Sequence, residues 1–251
     1  MRNKRTPRRA ASKARPRRPG AAASPRIPVV GIGASAGGLE AFTALLGHLP
    51  LDTGMAFVLV QHLDPQHESA LAHLLSRATE LPVRDVTDNM PVEADHVYVI
   101  PPNTNLAIVD GTLKLSARPK ARTPQHAIDF FFEALAQDRR ESAIGVILSG
   151  TASDGTLGLE AIKAEGGITF AQDETARYDS MPKSAVAAGC VDFVLSPAQI
   201  ASELARIARH PYVAGHAGQP TTPEDDRALA AAHEDDASAL PSGGRGTPRT
   251  G

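Results

Sequence analysis

The sequence predicts an α/β fold: a doubly wound, mostly parallel sheet with helices on both faces and a small antiparallel hairpin. Three observations carry this. Short apolar runs stop abruptly at glycine or polar residues, as buried strands do. They alternate with segments whose apolar residues recur at helical spacing, the pattern of a parallel sheet covered on both faces. Asp110-Gly111 lies between two short apolar runs and suits a type I′ hairpin turn.

The elements follow in order. Residues 27–33 (IPVVGIG) form a strand, and residues 36–46 a helix with Leu39, Phe42, Leu45 and Leu46 on one face. Residues 56–61 (AFVLVQ) form a second strand. Residues 68–77 form a helix striped by Leu71, Leu74 and Leu75, and 81–85 a short strand. The strand at 97–100 stops at Pro101-Pro102, and the hairpin arms are 106–109 and 113–115. A helix at 128–136, a strand at 143–148 (AIGVIL) and a helix at 156–164 come next. Strands at 168–171 and 191–194 precede a last helix. Ser196 caps that helix, Pro197 takes its first position, and Ile200, Leu204 and Ile207 form its stripe.

Charge divides the chain of 251 residues into three regions. Residues 1–26 hold ten Lys or Arg and no acid, and read as a disordered basic arm. Residues 27–213 hold 13 basic and 22 acidic residues and all of the hydrophobic periodicity, so they form one domain. Residues 214–251, rich in Pro, Ser, Gly and acids, read as a disordered acidic tail. The arm has the charge to bind nucleic acid or an acidic membrane surface, but its ordinary reading, a solvated tail, is preferred. One Cys excludes a disulfide framework and any multi-cysteine metal site. No apolar run reaches the roughly 18–20 residues of a membrane span, and no apolar stretch of signal-peptide type follows the arginines.

Ligands of such sheets bind at the carboxyl ends of the strands. The first strand ends in Gly33-Ala34-Ser35-Ala36-Gly37-Gly38, the second in Gln61-His62, and the AIGVIL strand runs into Ser149-Gly150-Thr151-Ala152-Ser153-Asp154. A serine, a histidine and an aspartate at three ends of one sheet are what acyl transfer needs. The hydroxyl requires an imidazole to take its proton, and the imidazole a carboxylate to hold its tautomer. The oxyanion requires preorganised N–H donors, which a helix start beside Ser35 supplies. Ser35, His62 and Asp154 are therefore the candidate catalytic residues. Ala36, Gly37 and Thr151 are candidates for the oxyanion and substrate contacts. Each also has an ordinary reading: Ser35 and Asp154 as helix caps, His62 as a loop histidine.

Two other motifs overlap the first loop. Residues 31–36 fit the G-x-G-x-x-G/A dinucleotide fingerprint, but Gln61 and His62 stand where a ribose-binding acid is expected. Residues 33–37 fit the G-x-S-x-G elbow, yet the order Ser35, His62, Asp154 is not that of α/β-hydrolases.

The stretches VVGIGASAGGLEAF, VLVQHLDPQHES, VYVIPPNTNLAI, AIGVILSGTASDGTLGL and ITFAQDETARYDSMPKSA resemble the catalytic domain of the chemotaxis protein-glutamate methylesterases, the CheB family. They span about residues 27–213 in family order. The resemblance implies a cytoplasmic hydrolase that removes methyl esters from glutamates of methylated chemoreceptor-like proteins, with glutamine deamidation in some members. It implies Ser35 as nucleophile, His62 as base and Asp154 as orienting acid. It also sets Met181 in a loop that lines the substrate groove or packs beneath it.

The sequence departs from that family in several places. Ala36 stands where Thr is common. Ala152 replaces a usual glycine, so a positive φ there would strain the turn. The 26 residues before the first strand are not expected to hold a receiver domain, nor the acidic tail a methyltransferase domain, so control is expected from a separate response regulator or methyltransferase.

Gln61 and Asn105 are candidate hydrogen-bond donors to substrate, and equally ordinary loop residues. His67, His73 and His126 lack metal-ligand spacing, so neither a metal nor a cofactor is expected. Cys190 reads as a small buried hydrophobe. The rival to catalysis is a module that binds a receptor or signalling partner without turnover.

Overall fold

A computed structural model describes residues 27–61, 71–118 and 126–210. The arm at 1–26, the tail at 214–251, His62, His67 and residues 68–70 of the predicted second helix lie outside these residues.

The first half of the chain runs β1 (Val29–Ala34), α1 (Gly38–Leu46), β2 (Ala56–Gln61), α2 (Leu71–Leu75), β3 (Val83–Asp85), β4 (Met90–Pro91), β5 (His96–Val99), β6 (Thr104–Val109) and β7 (Thr112–Ala117). The second half runs α3 (Ala127–Arg139), β8 (Ala143–Ile147), α4 (Thr156–Ala164), β9 (Ile168–Gln172), α5 (Ser180–Ala187), β10 (Phe193–Leu195) and α6 (Pro197–Ala208). Seven strands form one sheet in the order β10-β9-β8-β1-β2-β5-β3, with every pairing parallel. A separate antiparallel sheet has the order β4-β7-β6.

The central strands are apolar throughout because both of their faces are covered. All six residues of β1 are buried. Val30, Ile32, Phe57 and Leu59 meet Phe42, Leu45 and Leu46 of α1, Leu75 of α2, and Ile200 and Leu204 of α6. Val29, Val58, Val60 and Ile147 meet α3, α4 and α5 on the opposite face, together with Leu106, Ile108 and Leu113 of the small sheet. Phe131 and Phe132 of α3 are fully buried there, and each such side chain contributes about 1.5–3 kcal/mol by leaving water.

The glycines of the apparent dinucleotide fingerprint serve this packing. A β-carbon on Gly31 would lie 2.8 Å from Phe132 Cε1, and one on Gly33 2.5 Å from Ile128 Cγ2. Their missing side chains let α3 settle on β1, which leaves no phosphate role for them to explain.

The predicted cap of the last helix is present: Ser196 and Gln199 form a reciprocal capping box, with Pro197 at the start of α6. Three expectations need correction. The strand predicted at 191–194 begins at Phe193, because Asp192 turns its carboxylate to Thr169 and Lys163 instead of extending. The hairpin gains a third strand, β4, too short to be visible as a pattern. Met181-Pro182 lies in the first turn of α5 and not in a loop; proline is tolerated there because its missing N–H has no partner to lose.

Candidate active site

Strands β8, β1 and β2 are neighbours. Helix α1 leaves β1 toward one face of the sheet, while α4 leaves β8 toward the other. The crevice between β1 and β8 is therefore a topological switch point, where ligands of open α/β sheets bind.

Ser35 sits at the β1 end of this crevice, half-buried. Its N–H donates to the Ser149 carbonyl at 3.0 Å. Its own carbonyl accepts from Gly38 N at 2.9 Å and from Gln61 Nε2 at 3.3 Å. Gln61 thus reaches the serine loop through its amide nitrogen. The N-cap of α1 is Gly37, and no side chain caps it. The Ser35 hydroxyl is therefore not a helix cap. Among the described residues the N–H groups of Ala36 and Gly37 donate to no other group, and they open toward the positive end of α1.

Ser149 ties this loop to its neighbours. It is 1% exposed; its hydroxyl donates to Ala36 O at 2.8 Å and accepts from Tyr178 N at 3.0 Å. Its N–H donates to Gln172 Oε1 at 2.9 Å. Gly150 comes next, under tight contact. A β-carbon on it would stand 2.1 Å from Met181 Sδ and 3.1 Å from Ser35 Cβ. Met181 is fully buried. The expectation that it lines a substrate groove gives way to packing: it supports Gly150 from below. Thr151, Ala152 and Ser153 form the exposed rim. Ala152 adopts φ 67°, the left-handed conformation anticipated for a glycine at this position.

Asp154 is 3% exposed and does not cap its own helix. Its Oδ2 accepts from Ile128 N at 3.0 Å and its Oδ1 from Asp129 N at 2.9 Å, so it caps α3. Asp129 returns the arrangement, its Oδ1 accepting from Gly155 N and Gly158 N, both at 2.9 Å, at the start of α4. Burial pushes the Asp129 carboxyl above the usual carboxylate range, with the N–H of Gly158 opposing and the charge of Asp154 adding to it. Half-buried Arg118 lies within electrostatic reach: burial lowers its pKa, and Asp154 opposes that.

His126 precedes α3. Its Nδ1 lies 3.4 Å from Asp129 Oδ2 and 3.7 Å from Asp154 Oδ1, while its side chain is 53% exposed. His126, Asp129 and Asp154 keep their ligand atoms within 4.8 Å of one another, and are the cluster among the described residues that could offer three donors to a metal. Chain spacing cannot display such a cluster, because Asp154 comes from a different element. Asp129 also escapes the sequence. An acid in a helix's first turn is an ordinary dipole partner, and nothing in its spacing announces a bond to another helix. Asn105 lies on β6, opposite Ser116, and Cys190 is buried with its thiol directed to Ala185 O.

The CheB methylesterase family model matches residues 30–204, most of the described fold. This chain belongs to that family. A protein-glutamate methylesterase/protein-glutamine glutaminase of Burkholderia pseudomallei is 39% identical over 179 residues, 70% of this chain and 52% of the relative. The chain thus spans about half the length of that relative. A putative protein of the same description from Leptospira interrogans is 35% identical over 178 residues and is 92% covered. The crystal structure of the Thermotoga maritima CheB methylesterase catalytic domain superposes with a TM-score of 0.68 at 31% identity, covering 72% of this chain and 99% of that one. The parallel sheet with its small antiparallel companion is therefore the CheB catalytic fold, and no described helix is long and apolar enough to cross a membrane.

Proposed function

We propose that this CheB-type domain is a cofactor-free serine methylesterase, acting in the cytoplasm on glutamyl methyl esters of a methylated chemoreceptor-like protein. One observation carries the reading. Ser35 and the loop ending in Asp154 face each other across the β1–β8 crevice, and no described residue engages the Ala36 and Gly37 N–H groups beside the hydroxyl. The names of the relatives, which pair methylesterase with glutaminase, support the same chemistry.

In this mechanism the Ser35 hydroxyl attacks the ester carbonyl as His62 takes its proton. The tetrahedral oxyanion is held by the N–H of Ala36, with Gly37 or Thr151 as second donor. Collapse expels the alkoxide, which His62 protonates to methanol, leaving an acyl group on Ser35. Water, deprotonated by His62, attacks the acyl carbon and frees the glutamate and the serine. Asp154 holds the imidazole tautomer and stabilises the imidazolium. A glutamine side chain would follow the same course and release ammonia. A separate response regulator or methyltransferase would supply the control.

The 3.7 Å approach of His126 to Asp154 favours a second reading, with His126 as the imidazole of the triad. The test of the main reading is methanol release from enzymatically methylated receptor membranes, comparing the parent with Ser35→Ala. Release by the parent alone supports it. Equal release by both removes Ser35 from the mechanism.

A further inference from the structure

We propose that Asp129 is a positioning residue of the esterase, holding Asp154 in register for its imidazole through the helix start that Asp154 adjoins. The proposal rests on the reading of Ser35, His62 and Asp154 given above. Neither α3 nor α4 has a side-chain cap from its own N-cap residue. Each is capped by the carboxylate at the start of the other. Asp154 takes the N–H groups of Ile128 and Asp129, and Asp129 takes those of Gly155 and Gly158.

This cross-capping fixes Asp154 from both sides. Its carboxylate is held by α3, and the backbone directly after it is held by Asp129 through Gly155. The helices have no slack at this point. A β-carbon on Gly158 would lie 2.4 Å from Phe132 Cβ and 3.2 Å from Asp129 Cα. Asp129 is 5% exposed, so water cannot readily replace its two bonds. On the rim side the chain passes through Ala152 at φ 67°, a conformation that persists only where its surroundings enforce it. Removing Asp129 releases the first turn of α4 and the rim together. Asp154 then keeps its bonds to α3 but loses its fixed relation to the strand end that carries Ser35. A displacement of about 1 Å in a catalytic group costs on the order of 10²-fold in rate.

The experiment measures labelling of Ser35 by a fluorophosphonate probe, followed by mass spectrometry, in the parent, Asp129→Ala, Asp129→Asn and Asp129→Glu. Final labelling amplitude reports the fraction of competent sites, and the rate constant reports how well each site is arranged. The alanine variant is expected to lose about 10–100-fold in rate constant with its amplitude kept. Asparagine offers an acceptor oxygen of the same reach and should stay within about threefold of the parent, since hydrogen-bond shape rather than charge is required. Glutamate keeps the charge but misplaces the oxygen, so it should fall with alanine. If alanine fails to fold, the contrast between asparagine and glutamate carries the test. A parent-like rate constant in both alanine and glutamate, or a loss confined to amplitude, overturns the proposal. Failure of the parent itself to label at Ser35 overturns the esterase reading and this proposal with it.

Discussion

The backbone N–H of Ser35 donates to the carbonyl of Ser149 at 3.0 Å, each two residues beyond Gly33 and Ile147, the last pair of β1 and β8. This bond carries the register of two parallel strands into the loops that bear the candidate nucleophile and the candidate acid. It also occupies the N–H of Ser35, so oxyanion donors must come from later residues, beginning with Ala36. The Ser149 hydroxyl, on the Ala36 carbonyl, fixes the next peptide in turn.

Ser35→Ala should therefore cost activity and little else. Loss of a triad nucleophile lowers kcat by at least roughly 10³-fold. Because the hydroxyl caps no helix, unfolding free energy should change by less than about 0.5 kcal/mol, as for surface substitutions away from special features. Methanol release and urea unfolding on the same preparations check both halves.

The two histidines are separable by substitution. His62→Ala should remove activity to the same degree as Ser35→Ala. His126→Ala should leave it within about threefold of the parent. Its Nδ1 stands 3.7 Å from Asp154 Oδ1, beyond hydrogen-bond distance, and its side chain is 53% exposed, so the main reading gives it no proton to move. The reverse outcome in methanol release would hand the role of base to His126.

Much of this was legible in the sequence, and the reasons differ by residue. Ser35 stood out because a short strand ends in small residues before a helix, and Asp154 because the AIGVIL strand leads to it. The fold was legible because strands buried on both faces are nearly pure apolar runs. Helix α5 was not, since its buried residues Met181, Pro182 and Ala185 make a weak stripe with a proline inside it. Asp129 and Ser149 act through bonds between distant segments, which leave no periodic trace. The fingerprint at Gly31 and Gly33 was ambiguous for a related reason: close helix packing and close phosphate approach both demand a missing β-carbon, and only the lack of an acid at Gln61-His62 spoke against the second.

Gly150 tests how tightly the site is packed. Gly150→Ala sets a methyl group against the Met181 sulfur and Ser35 Cβ. Overpacking of this kind costs about 1–3 kcal/mol and displaces neighbours. Both stability and turnover should fall. Adding Met181→Ala makes room, so the double variant should recover turnover relative to Gly150→Ala alone. Absence of such recovery in the mutant cycle would mean that the methyl acts through Ser35 and not through Met181.

Ala152 stores strain on the rim. A left-handed residue with a β-carbon costs about 1–2 kcal/mol, offset in part because glycine loses about 0.4–1 kcal/mol more chain entropy on folding. Ala152→Gly should therefore stabilise the protein by about 0.5–1 kcal/mol in urea unfolding. The methyl group it removes is exposed and can make no hydrogen bond to Asp154, so labelling of Ser35 should proceed at the parental rate. Slower labelling would show that the strain itself shapes the rim.

Acid stability should depend on Asp192, at the turn before β10. Burial pushes its carboxyl up, but Lys163 Nζ at 2.7 Å, with Thr169 Oγ at 2.8 Å and Thr169 N at 3.0 Å, outweighs burial and holds it below the usual range. A carboxyl whose folded pKa lies below its unfolded value of about 3.9 stabilises the fold above that pH. The contribution is lost as pH falls through the folded value, because the bonds require the ionised form. Asp192→Asn should lower the Tm at pH 7 and leave it close to the parent's once both are below the folded pKa. The parent's Tm should accordingly fall more steeply than the variant's as pH drops below about 4. Parallel Tm curves across that range would show that the Asp192 charge adds nothing to the join between β9 and β10.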